Sequence, residues 1–330
     1  MAAVRRRRPG QGRTPPAGDP RRIAGPRNGT RAVTILAAFS ASGHARAPLY
    51  LAAQIARTTG DNVLAAAVIE RPWPPRGDPV EKEYLDYVGR QAAHALDSAA
   101  AVLPATIEFS TLVHESTSVP KGLMELAASH RAQIVVVGSS SSGLLGRVAL
   151  GSVTERLVHT AQVPVAIAPR GYAQGSGKIR RLTAAYGGEA DVNGLIPAAA
   201  QLAKDWSTLL RIVSFTVRNV AAFSGRIESA AEDLVVQQWS RRTHDDIVRL
   251  LDSVRADVRN DGPLDDVDVV VGTGADWNTA VQSVPWEAGD MLLLGSGAAA
   301  QSAQVFLGSA AARILRNCPV PVMVVPRYEG

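Results

Sequence analysis

The sequence predicts an α/β protein of two tandem, doubly wound domains, each a five-strand parallel sheet covered by helices. Three observations carry that prediction. The 330-residue chain is 46% hydrophobic and only 5% aromatic, and small apolar residues suit helix-on-sheet packing better than a β-sandwich. Apolar runs of strand length alternate with helical stretches, and strands that are apolar throughout belong to parallel sheets covered on both faces. The chain also repeats itself. "QIVVVGSS" (133–140) matches "DMLLLGSG" (290–297), "ALGSVTERL" (149–157) matches "FLGSAAARI" (306–314), and "QVPVAIAPR" (162–170) matches "PVPVMVVPR" (319–327), all at an offset of 157. Upstream, "TILAAFS" (34–40) matches "RLTAAYG" (181–187) at an offset of 147, so the second copy holds about ten extra residues in between. Two long copies are a domain duplication and not a solenoid of short repeats.

Taken in order, the first copy reads as strand 32–39, helix 45–58, strand 62–69, helix 80–101, strand 106–113, helix 120–130, strand 133–138, helix 152–161 and strand 163–168. The helices place Ala and Leu at helical spacing. "RPWPPRGDP" (71–79) is proline-dense and reads as an irregular loop, with Trp73 a packing residue or a cover over a pocket. The second copy reads as strand 181–186, helix 191–204, strand 208–216, helix 227–255, strand 266–272, helix 276–286, strand 290–295, helix 309–316 and strand 320–325. The chain thus divides into a tail (1–31), a first domain (32–170), a Gly-rich polar linker (171–178) and a second domain (179–330). Neither copy's final strand has a helix after it, and an apolar edge left bare invites pairing.

The net charge of +5 is misleading, because residues 1–31 hold nine arginines and one acid, Asp19, and so carry +8 against −3 for the rest. Such a tail can touch nucleic acid or anionic lipid. With no apolar periodicity and no interleaved aromatics, it reads as a solvated, disordered extension that folding does not need. Nucleic acid is expected as a partner only through this tail. A lone cysteine, Cys318, excludes an internal disulfide and fits a reducing, cytoplasmic compartment. No apolar run approaches ~18 residues, so no membrane span is expected. The arginines before "AVTILAAF" (32–39) could pass as a twin-arginine leader, but the same segment has a partner deep in the chain, which favours a strand.

The chemistry concentrates in "VVVGSSSSGLLGRVALGSVTERL" (135–157). Gly138 ends a strand at the edge where open parallel sheets bind ligands, and Ser152 opens the next helix. The free amides of that helix start, together with a glycine-rich loop, make an anion cradle. Ser140, Ser141, Ser152 and Thr154 add hydroxyl donors. A Walker A loop is excluded because Leu144 and Leu145 follow Gly143, and a G-x-S-x-G elbow because Ser141 and Ser142 follow Ser140. A ligand-free alternative is a plain helix start, with Ser152 and Glu155 as an S-x-x-E capping box.

With these residues in view, the chain resembles the universal stress protein family. Its ATP-binding members carry G-x2-G-x9-G-[ST] between the fourth strand and the last helix. Gly138 and Gly151-Ser152 keep that spacing, as do Gly295 and Gly308-Ser309 in the second copy, and "GSVTE" and "VPV" also look like the family. The resemblance covers both copies and implies a Rossmann-like fold of the adenine nucleotide alpha hydrolase type. It implies ATP as the ligand, with Gly138, Ser141, Gly151, Ser152, Val153 and Thr154 at the phosphates. Ser40 and Val68 would lie at the nucleoside, Val68 standing where the family's second strand meets adenine. It further implies pairing of the two final strands as an intramolecular pseudo-dimer, or of two chains as a homodimer. The chain departs from the family at two points. The middle glycine is Ser141 in the first copy and Ala298 in the second, which costs about 1 kcal/mol if a positive φ is required. An aspartate expected after the first strand is Ser40, or Gly187 in the second copy.

No catalytic set emerges. His44, His94, His114, His130, His159 and His244 are scattered without metal-ligand spacing, and Asp245-Asp246 and Asp265-Asp266 read as solvated charge. The expectation is a stress-response regulator that binds ATP weakly in its first domain, works through protein partners and is not an enzyme. The alternative is a scaffold of the same fold that binds no nucleotide. Use of the fold for adenylation is disfavoured, because the loop after the first strand is "SASGHARA".

Overall fold

The computed structural model describes residues 4–6, 34–40, 46–72, 74, 77–175, 177–188, 194–217, 229–257, 267–295 and 307–326; His44, Trp73 and nearly all of the basic tail lie outside these. The first half contains β1 (Val4–Arg6), β2 (Thr34–Phe39), α1 (Ala47–Thr59), β3 (Asn62–Glu70), α2 (Pro79–Ala100), β4 (Phe109–Ser116), α3 (Val119–His130), β5 (Ala132–Gly138), α4 (Ser152–Thr160) and β6 (Val165–Ala168). The second contains β7 (Arg181–Ala185), α5 (Leu195–Trp206), β8 (Leu209–Val217), α6 (Ser229–Asp257), β9 (Asp268–Gly274), α7 (Trp277–Gln282), β10 (Asp290–Gly295), α8 (Ser309–Asn317) and β11 (Val322–Val325). The described part of the "AVTILAAF" run, Thr34–Phe39, is therefore strand β2, buried at Ile35, Leu36 and Ala37.

All of these strands form one sheet, ordered β1-β4-β3-β2-β5-β6-β11-β10-β7-β8-β9. Five strands run parallel in each half. The halves meet where β6 and β11 pair antiparallel, Val165 opposite Val324, Ala166 opposite Met323 and Ile167 opposite Val322. This is the intrachain pairing expected from the two helix-less final strands. The six residues are buried, so the ladder removes two apolar edges at once. The tail differs from expectation at three residues: β1 pairs antiparallel with the outer strand β4, Arg5 opposite Thr111.

Alternation along each strand divides the core between the two sheet faces. Ile35 and Ala37 of β2 face the core under α1, α2, α5 and α6, and Leu36 faces the core under α3, α4, α7 and α8. The first of these cores runs unbroken across the two halves, from Leu51 and Ile55 to Leu195 and Ile196. Helix starts follow local chemistry. Asp78 caps α2 by accepting the Glu81 amide at 2.8 Å, with Pro79 next in line, and Ser118 caps α3 through the Lys121 amide at 3.4 Å. Gly122 of α3 lets that helix approach β3, since a Cβ there would lie 2.6 Å from Val68 Cγ1. Two predicted boundaries shift. The turn in which the Ile107 amide bonds Pro104 O delays β4 to Phe109, and α7 ends at Gln282, three residues before Pro285.

The linker is pinned to α1. The Ile179 amide donates to Thr58 Oγ1 at 2.8 Å, Gln54 Nε2 donates to Lys178 O at 3.2 Å, and Arg57 Nε donates to Gly177 O at 3.1 Å. Tyr172 bonds Gln54 through its hydroxyl, and burial pushes that phenol up to about 12. The thiol of Cys318 is fully buried, and burial pushes it up to about 12, where it is unreactive at neutral pH.

A buried ionic cluster marks the second half. Asp290 accepts two bonds from Arg181, both 2.9 Å, and one from Arg211 Nη2 at 3.2 Å. Arg211 is fully buried, donates to Thr183 Oγ1 (3.1 Å) and Pro285 O (2.9 Å), and lies 5.0 Å from the centre of the Trp286 ring. The repeat offsets place Leu64 and Gln133 at the matching positions of the first half, so the cluster has no counterpart there. Breaking a buried pair leaves an uncompensated charge. Asp290→Asn is therefore expected to lower stability by about 3–5 kcal/mol in chemical denaturation. Gln133→Ala, at the equivalent position, should cost far less, and similar losses at the two sites would contradict this account.

Candidate functional site

The crevice opens beyond the carboxyl ends of β2 and β5, where the strand order reverses. β3 outruns its neighbour here: Ala67 is the last residue opposite β2, and Val68, Ile69 and Glu70 continue against β4. On the other side, β5 ends at Gly138 without a side chain, and a Cβ there would sit 3.3 Å from Pro48 Cγ of α1.

From Gly138 the loop folds back on itself. Ser139 Oγ accepts the Ala149 amide at 2.7 Å, and the Ser140 amide donates to Ala149 O at 2.7 Å. The Gly143 amide closes a turn on Ser140 O at 3.2 Å, and the hydroxyls of Ser140 and Ser142 lie 2.8 Å apart. Gly146 takes the left-handed conformation (φ 74°) that lets its amide reach Arg170 O at 2.9 Å. Arg170 Nη1 holds Gly143 O, and Arg147 Nη1 reaches Asn317 O in the second half, each at 2.5 Å. The described non-glycine residues with positive φ are Arg131 and Ser207. Ser141 is not among them, so the strain expected from its side chain does not arise.

At the start of α4 the capping-box expectation is corrected. The N-cap is Gly151, extended at φ −89° and ψ 169°, with no side-chain cap bond, and Ser152 is already the first helical residue. The amides at this helix start therefore receive no cap from the Gly151 side, and they add to the positive end of the helix dipole. Thr154 also differs from its expected role. Its buried hydroxyl donates to Gly138 O at 3.0 Å, tying the helix to the strand end instead of facing outward as a donor.

These elements enclose a cavity of about 570 Å³, within the range of small-molecule sites. Of the eight residues that the resemblance assigns to a ligand, Ser40, Val68, Gly138, Ser141, Val153 and Thr154 line it, while Gly151 and Ser152 stand outside the lining, at the start of the helix, as does Ser140 in the loop. Sequence reasoning missed the far wall. Tyr84, Val88 and Ala92 come from α2, Val119 opens α3, and Glu70 is the one carboxylate in the lining. The spacing of Tyr84, Val88 and Ala92, four residues apart on one helix face, was the available signal. A second groove of about 440 Å³ lies between α2 and β4, with Arg71, Arg90, Asp86 and Glu115 in its lining. Its mixed charge gives no preference for an anion. In the second half, α8 likewise starts after an extended glycine, Gly308, without a side-chain cap, but Ala311 stands where α4 has Thr154, and residues 296–306 lie outside the described part.

Comparison with known proteins gives one answer. The sequence profile of the universal stress protein family matches residues 33–169 and 178–326. Universal stress proteins of Mycobacterium bovis and Mycobacterium tuberculosis are each 30% identical over 298 residues, which is 89% of this chain and 100% of theirs. Among solved structures, a universal stress protein from Archaeoglobus fulgidus superposes with a TM-score of 0.53 at 17% identity, covering 89% of this chain and 98% of its own. A functionally unknown protein from Pseudomonas aeruginosa gives 0.50 at 13% identity, with 90% and 93% covered. These two structural likenesses bear on the fold.

The start of α4 yields a stability test. A Cβ on Gly151 would make only ordinary contact, 3.5 Å from Ser140 Cβ, and the extended backbone suits a side-chain cap. Gly151→Asp is expected to leave stability unchanged or raise it by a few tenths of a kcal/mol, roughly the gain of Asp over Gly at an N-cap. Thr154→Val should lower it by about 1 kcal/mol by deleting the bond to Gly138. Thermal denaturation reads both, and a collapse of the Gly151 variant would contradict the uncapped geometry.

Proposed function

The chain belongs to the universal stress protein family, and from that premise we propose that its first domain binds an adenine nucleotide of the ATP type. The protein acts in this reading as a stress-response regulator in the cytoplasm, and nucleotide occupancy alters its contacts with protein partners. The observation that carries the reading is the uncapped α4 start beside a 570 Å³ cavity whose lining is serine and glycine at the loop and apolar at α2 and α3. An anion is favoured at the helix start, and an apolar, flat group at the other end. This reading assigns none of the described side chains as a base for hydrolysis, and it takes any turnover to be slow and incidental.

Ser40 in place of the family's aspartate removes a charge-assisted bond of about 1.5–3 kcal/mol to a ribose. Affinity is accordingly modest, on the order of 10–100 μM. The same substitution is what favours the second reading, a scaffold of this fold without a nucleotide.

Calorimetry with ATP on the wild type, Gly151→Asp and Gly308→Asp separates the two. The Gly151 variant puts a carboxylate where the phosphates would lie and should lose binding, while the Gly308 variant keeps it because the second copy lacks the Thr154 brace. Phosphate release should be slow at most. Unmeasurable binding in the wild type would favour the scaffold, equal losses in both variants would refute the asymmetry, and steady phosphate release would make the protein an enzyme.

A further inference from the structure

We infer that Glu70 is the specificity-determining residue of the first-domain cavity, its carboxylate selecting a purine nucleotide that carries an amino group on the base. The inference rests on the nucleotide reading above and deepens it.

The cavity has two chemically opposite ends. At the loop, Gly138, Ser141 and the start of α4 favour negative charge. At the other end the lining includes Val68, Ile69, Val88 and Val119, and Glu70, itself exposed, belongs to the same lining. That carboxylate is fixed in place: Glu70 Oε1 accepts the amide of Val119, the first residue of α3, at 3.0 Å. Val68 and Glu70 share one face of β3 by strand periodicity, and α3 packs against that face through Gly122. An apolar wall and an acceptor are therefore adjacent on one surface.

Two consequences follow for a ligand. A carboxylate repels phosphate, so an anionic ligand is oriented with its phosphates at α4 and its body toward Glu70. A group lying against Val68 then gains by offering a hydrogen-bond donor to an oxygen that has acceptor capacity beyond its bond to Val119. An exocyclic amine on an otherwise flat, apolar-faced base can do both, and a base with neither amine nor ring N–H on that edge gains nothing from the carboxylate, which keeps its bond to Val119 and its exposure to solvent. Glu70 is exposed, so the preference it confers is the modest one of a solvent-screened, charge-assisted bond.

The test is calorimetry on the full chain with ATP and with purine riboside 5′-triphosphate, which differs only in lacking the 6-amino group. Wild type should prefer ATP by roughly two- to fivefold, the value of one solvent-screened, charge-assisted bond. Glu70→Ala should bind the two nucleotides about equally, and Glu70→Gln should fall between, since its amide oxygen still accepts but without charge. Glu70→Gln also keeps an acceptor for Val119, so a melting temperature near wild type separates a binding effect from a folding effect. Equal affinities in wild type, or full discrimination surviving in Glu70→Ala, would overturn the inference. Wild type that binds neither nucleotide would overturn the nucleotide reading itself and the inference with it, an outcome distinct from binding both alike.

Discussion

The three-residue ladder between β6 and β11 is the interaction on which the rest of the molecule depends. Each half alone would end in an apolar strand with unpaired amides and carbonyls, and with no helix to cover it. Pairing the two strands satisfies those groups and turns two five-strand sheets into one, with a hydrophobic core that passes from Leu51 to Leu195 without a break. The antiparallel sense of the pairing also fixes the pseudo-symmetry: the crevices beyond the two sets of strands are related by rotation and not by translation. The sites are thereby held apart while the backbone between them is continuous.

At the first crevice, local geometry and electrostatics agree. A glycine N-cap gives the start of α4 no side-chain cap, and the loop before it is held by its own hydrogen bonds and by Arg170. The positive end of the helix is thus presented by a rigid frame. Thr154 braces that frame by joining the helix to the end of β5. Preorganisation of this kind lowers the cost of ordering a loop around a ligand.

Much of the fold was legible because the repeat is legible. Three segments at one offset fix the two-domain division, and apolar strands such as "IVVV" (134–137) announce a sheet covered on both faces. The pairing of β6 with β11 was expected from the bare final edges together with the family resemblance. The site was legible only on the side where glycines mark it. Ser152 looked like a cap because S-x-x-E is a capping pattern, yet the neighbouring Gly151 takes the extended backbone that a cap requires. Thr154 looked like an outward donor because sequence does not show which hydroxyl is turned toward a strand end. Glu70 and Tyr84 were missed because their place in the site depends on β3 outrunning β2 and on how α2 crosses the sheet, which are tertiary facts. The Arg211–Asp290 cluster was likewise hidden, since these two members lie 79 residues apart and no local pattern joins them.

The covalent linker pinned along α1 has a consequence for how such a protein can diverge. In an assembly of two identical chains, every substitution is made twice, and a change that damages one site damages both. Here each half has its own stretch of sequence, and a substitution is made once. The first half can therefore keep a threonine at the start of its last helix while the second carries an alanine there, and the second can acquire a buried arginine–aspartate cluster where the first has Leu64 and Gln133. Joining the copies converts a symmetric assembly into a single inherited unit whose two halves are free to specialise, one toward ligand chemistry and the other toward holding the sheet together.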